Sequence, residues 1–200
     1  IDSYFKLYKR RLRELGYSLN NYYMKRSLVY IHMDLDAAAA NFYRFLDAPI
    51  DSISDGKALC QNHQVEMYLA MDEEEKALRA AEPIFAGKLK SHALPHSTEH
   101  KFARFYLGHG DLTKAEEYGR RILRKADGDP YHMHYIGTLM SIYSVLDPEK
   151  ALRLFRTNYP LYLASKNPWL RNFFEFGACH LFTRIAKDAL PLDGLAALTA

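Results

Sequence analysis

The chain is expected to fold as an all-α protein, a right-handed α-α superhelix (solenoid) of about four to five antiparallel helix hairpins. Three observations predict it. The 200 residues read as helix, turn, helix throughout. An internal repeat is marked by Ala39, Ala77, Ala115 and Ala151, at spacings of 38, 38 and 36 residues. The composition is that of a packed protein. It is 48% apolar and 26% charged, with 15 Tyr, 11 Phe and one Trp against only ten Gly and eight Pro, which excludes a disordered or fibrous chain.

Helices are expected at 2–16, 19–32, 36–46, 54–71, 73–86, 95–109, 112–126, 130–146, 148–158 and 168–186. In the first, Tyr4, Tyr8, Leu12 and Leu15 form a stripe that buries the core of a terminal repeat. The next helices pair into hairpins, each with a small alanine where two backbones cross. In the third hairpin Gly110 ends one helix in the left-handed conformation and Asp111 caps the next. Asp147-Pro148 opens the helix of the fourth, with Pro at its first position. Asp72 and Glu73 to Glu75 place negative charge at a helix start, where the macrodipole favours it. Pro83 predicts a kink or an early stop in the fifth helix. Residues 91–95 and 127–130 are loops. Trp169, Leu170, Phe173, Phe174 and Phe176 crowd the last helix, as in a helix that closes an array or packs on a following repeat. The 1–200 segment is read as a single domain, part of a longer chain, because it lacks an initial Met.

The repeat resembles the tetratricopeptide repeat family over roughly residues 19–160. Repeat three carries the likeness best: Ala103, Tyr106, Gly110-Asp111, Ala115 and Ile122 fall at that family's packing positions. Repeat two has Val65, Tyr68 and Ala77; repeat four has Leu139 and Ala151 and no Gly in its turn. The spacing exceeds the family's usual length of about 34 residues. The resemblance implies that the first helix of each hairpin lines a concave groove. Alignment on the alanines points inward Asn21, Met24, Leu28 and His32, then Asn62, Glu66 and Leu69. Repeat three adds His100, Arg104 and Leu107, and repeat four Met133, Ile136, Met140 and Tyr143. The candidate peptide-binding residues are Asn21, Asn62, Glu66, His100, Arg104, Met140 and Tyr143. An Asn amide can satisfy both backbone groups of an extended peptide, and Arg104 can hold a carboxylate with two bonds. The expected function is a cytoplasmic interaction scaffold or adaptor for a peptide or protein segment. No catalytic residue, metal or cofactor is expected, and the oligomeric state is open.

Two other readings have residues behind them. His96-Ser97-Thr98-Glu99-His100 matches H-x-x-E-H, the zinc signature of inverzincin peptidases, and makes a metal-dependent hydrolase the enzyme alternative. Its short pattern and the all-helical chain argue against it. His132 and His134, two residues apart, point to different faces of a helix. The basic N-terminal hairpin (Lys6, Lys9, Arg10, Arg11, Arg13, Lys25 and Arg26), interleaved with tyrosines, is the basis for a nucleic-acid adaptor. The net charge of +3 and the aspartates that follow make nucleic acid the lesser expectation. Cys60 and Cys179 are read as buried thiols of a reducing compartment. No signal segment or membrane span is expected: the longest uncharged run, Tyr131–Leu146, is 16 residues and carries polar groups.

Overall fold

The computed structural model describes residues 1–126 and 128–188. Ten α-helices and one 3-10 turn make up the described residues, and no strand occurs among them. In chain order they are α1 (Asp2–Glu14), α2 (Asn20–Tyr30), α3 (Leu35–Asp47), α4 (Lys57–Ala70) and α5 (Glu74–Phe85). There follow α6 (His96–Gly108), α7 (Leu112–Ala126), α8 (Met133–Leu146), α9 (Pro148–Ala164) and α10 (Pro168–Asp188). No described helix is long and apolar enough to cross a membrane. Packing divides the chain into two compact units, with the boundary between Lys101 and Phe102, inside α6.

One local device recurs in four hairpins. The amide of an acidic residue that opens the second helix donates to the carbonyl of a Tyr at the end of the first. These are Asp34 to Tyr30 (2.8 Å), Glu73 to Tyr68 (2.8 Å), Asp111 to Tyr106 (3.0 Å) and Asp147 to Tyr143 (2.8 Å). The side chains of Asp34, Asp111 and Asp147 also cap the amide three residues on. Four residues past each acid comes a fully buried alanine: Ala38, Ala77, Ala115 and Ala151. In repeat one the crossing residue is therefore Ala38, and Ala39, the sequence-based choice, is only half-buried. The same face continues with Phe42 and Phe45, Ala81 and Ile84, Gly119 and Ile122, Phe155 and Asn158, each set completing an i, i+4, i+7 stripe. Lys76, Lys114 and Lys150, just before three of the alanines, lie 5.9, 4.6 and 3.7 Å from the ring centres of Tyr68, Tyr106 and Tyr143.

In the unit of residues 1–101, α2 packs on α3 and α4 on α5. Buried amides and hydroxyls cross between elements there. Asn20 donates to the carbonyls of Phe45 (3.1 Å) and Ala48 (3.2 Å), closing the C-terminus of α3. His63 Nε2 lies 2.7 Å from Ser27 Oγ, whose own proton goes to the Met24 carbonyl. The His63 ring therefore donates. Burial among Phe42 and Phe45 pushes its pKa down to about 3, with help from the charges of Lys101 and Lys25. Asp51 organises the segment before α4, accepting from the Ser18 amide at 2.7 Å and bonding Ser54. That turn holds residues 51–54 out of the helix, so α4 begins at Lys57 and not at 54.

In the unit from Phe102 onward, α8 is the centre, packed against α7, α9 and α10. Its core stripe is Met133, Ile136, Leu139, Met140 and Tyr143. On another face its backbone meets α10 directly at Gly137 and Gly177. A Cβ on Gly137 would stand 2.0 Å from the Phe173 carbonyl oxygen, and one on Gly177 would stand 2.3 Å from the Gly137 oxygen. Two prolines lie inside helices. α5 ends two residues past Pro83, at Phe85, whereas α9 runs through solvent-exposed Pro160 to Ala164, beyond the expected end at 158. The N-terminal stripe also differs: Phe5 and Leu12 are buried, while Tyr4 and Leu15 are 66% and 68% exposed.

Candidate functional site

The second unit has a groove of about 560 Å³ between α6, α8 and α10. α6 contributes Arg104, Leu107 and Gly108. The floor is α8, through Gly137, Thr138, Ser141, Ser144 and Val145. These are small residues, so the floor is deep. Ser141 Oγ donates to the Gly137 carbonyl (3.1 Å) and Ser144 Oγ to the Ser141 carbonyl (2.7 Å), so both hydroxyls keep acceptor capacity. The far wall is α10, with Phe173, Phe176 and His180 followed by Thr183, Arg184 and Lys187. The Arg104 guanidinium lies 5.4 Å from the centre of the Phe173 ring, and His180 packs on Phe176 at 4.5 Å. No carboxylate lines the groove among the described residues.

Of the seven candidate residues, only Arg104 lines this groove. Met140 and Tyr143 are 0% and 1% exposed and belong to the core, so neither can meet a ligand. The cause is one residue of turn. Tyr106 and Asp111 are five residues apart, whereas Tyr143 and Asp147 are four apart, because repeat four lacks the equivalent of Gly110. Counting back from Ala151 across the shorter turn slips the register by one. Counted from the tyrosines, the equivalents of His100, Arg104, Leu107 and Gly108 are Gly137, Ser141, Ser144 and Val145. Asn21 is buried, accepting from the Tyr8 hydroxyl (2.9 Å) and donating to the Ile53 carbonyl (2.9 Å). Asn62 is buried between Thr98 and Ser97. The amides of both are thus engaged within the chain, where a peptide clamp needs them open. Glu66 is half-buried and paired with Lys101 at 3.4 Å, and His100 is buried.

The other sequence candidates find structural roles. His96 Nδ1 contacts Glu99 Oε2 at 3.2 Å, and the buried Thr98 between them donates to Asn62. Among the described residues no three metal-ligating side chains converge, at this motif or elsewhere. His132 faces Asp129 at 2.9 Å. In the N-terminal hairpin Arg10 and Arg11 pair with Glu14, Lys25 with Asp55, and Arg26 with Asp2. Tyr22 packs edge to face on Phe5 and on Tyr23. Asp2 also accepts from the Tyr30 hydroxyl, which lowers its pKa. Cys60 is buried, and burial pushes its thiol pKa up; Cys179, expected inside, is exposed on α10. The wall of α10 was missed as a site. Its signal is an apolar stripe, 170/174/181/185, interleaved with an aromatic one, 169/173/176/180, in one helix.

No family model, curated protein or solved structure matches the chain.

Proposed function

We propose that the protein is a non-enzymatic interaction module that binds a peptide or protein segment in the groove between α6, α8 and α10. On this reading the hairpins form a tetratricopeptide-like superhelix, and the groove is its concave side, lined by the first helices of successive hairpins. One observation carries it: by tyrosine register, the three groove residues of α6, Arg104, Leu107 and Gly108, have as their equivalents Ser141, Ser144 and Val145, which line the groove from α8. A recessed apolar channel with a few polar groups at its edge is the usual form of such a site.

Selection from a displayed random-peptide library tests it. Sequences retained by the wild-type protein should be lost on Ser144→Trp, which fills the floor, and kept on Tyr4→Ala, a change on the exposed face of α1. Equal retention by both variants would remove the groove as the site.

A further inference from the structure

Helix α10 has two apolar faces. Leu170, Phe174, Leu181 and Ile185 are buried in the core of the second unit. Of the other stripe, Phe173, Phe176 and His180 line the groove and Trp169 lies one turn before them, and Trp169 and Phe176 remain 54% and 64% exposed. Trp169 is held on Phe173 at 4.8 Å and on His134 at 4.9 Å, so the exposed stripe is an ordered aromatic surface. A helix apolar on two sides is ordinarily covered on both. The charges beside this stripe have one sign. Arg104 stands on the α6 wall and Lys187 at the far end of α10. Both side chains are exposed, and the Arg104 guanidinium lies against the Phe173 ring.

We propose that the occupant is an acidic segment of a partner protein carrying an aromatic or aliphatic anchor. This rests on the groove being the peptide site. The anchor lies against Phe173 and Phe176 above the Ser141 and Ser144 floor, where small side chains leave depth. Flanking carboxylates meet Arg104 and Lys187. The Arg104 guanidinium already lies over the Phe173 ring, so its donors are pre-positioned at the edge of the anchor's seat. The recessed floor admits a single chain and excludes a flat bilayer. The largely apolar walls suit a polypeptide side chain better than a phosphate backbone.

Three fluorescein-labelled peptides decide it. They share one length and one pattern of Leu and Phe, and differ only in carrying Glu, Gln or Lys between these anchors. Binding to the whole chain is followed by anisotropy and by emission of Trp169, the sole tryptophan. The Glu peptide should bind, weaken as salt rises, and exceed the Gln peptide by about tenfold. Arg104→Glu combined with Lys187→Glu should reverse the preference toward the Lys peptide. Both positions are exposed, and an unchanged far-UV spectrum confirms the fold. Equal affinity for the Glu and Gln peptides overturns the acidic occupant and leaves the groove reading intact. Failure of all three peptides, or binding untouched by Phe176→Ala, overturns both. Tighter binding of anionic vesicles or single-stranded oligonucleotides overturns the polypeptide in favour of that class.

Discussion

In residues 1–101 neighbouring elements are pinned by buried amides and an imidazole; from Phe102 onward they are pinned where side chains are missing. The buried polar groups of the first unit reach across the sequence: Asn20 to Phe45 and Ala48, Asn62 to Thr98, and His63 to Ser27. In the second unit Ser141 and Ser144 donate to carbonyls of their own helix, and Asn158, which donates within its helix, reaches across the sequence only by accepting from the Gly128 amide. There the close contact is Gly137 on Gly177. The difference predicts different weaknesses. A unit held by buried polar pairs fails when one partner is removed or charged. A unit held by backbone contact fails when a carbon is added.

The largest effect is expected from Gly177→Ala. The new methyl would meet the Gly137 oxygen at 2.3 Å and its Cα at 2.8 Å, so α8 and α10 must separate. A loss of about 3 kcal/mol is expected, read as a lower urea midpoint of Trp169 emission. By contrast Gly110→Ala, with open space around it and φ of +75°, should cost only about 1 kcal/mol in backbone strain.

The first unit should instead be sensitive to acid. His63 has a pKa of about 3 when folded and 6.5 unfolded, so the unfolded chain takes up its proton first. Its contribution is fully present above pH 6.5 and is lost as pH falls toward 3, at ~1.4 kcal/mol per pH unit. The neighbouring charges are Lys101 and Lys25, which deepen the depression, and Asp55, which opposes it. Between pH 7 and pH 5 wild type should lose about 2 kcal/mol more than His63→Gln, measured by urea unfolding followed by far-UV circular dichroism. An equal loss in both would remove His63 as the cause.

Smaller changes sharpen the same contrast. Asn20→Ala strands the buried Phe45 carbonyl and the half-buried Ala48 carbonyl at the end of α3 and should cost about 2 kcal/mol, whereas Ser144→Ala breaks only a bond within its helix and should cost under about 0.5 kcal/mol. Lys150→Met removes a cation 3.7 Å from the Tyr143 ring centre and should cost about 1 kcal/mol, measured by the same unfolding curves.

The helices were legible because their signals are local. Asp111 and Asp147 cap where the sequence places caps, and Gly110 takes its left-handed turn. The site was less legible because its register passes through a turn whose length varies. Absence of one glycine moved the groove face of α8 from Ser141 and Ser144 to Met140 and Tyr143 on paper. Large apolar residues such as Met140 also look like anchors in a sequence, while the glycine and serines that make a deep floor look like nothing. The two stripes of α10 were visible as crowding; which one would be buried depended on Gly177 meeting Gly137, a contact between residues 40 positions apart.

Hydrogen–deuterium exchange with and without a library-selected peptide tests the groove most directly. The account predicts slowed exchange in residues 104–108 and along 169–187, with α1 to α3 unchanged. Protection confined to α1 to α3, with α10 exchanging as in the free protein, would contradict it.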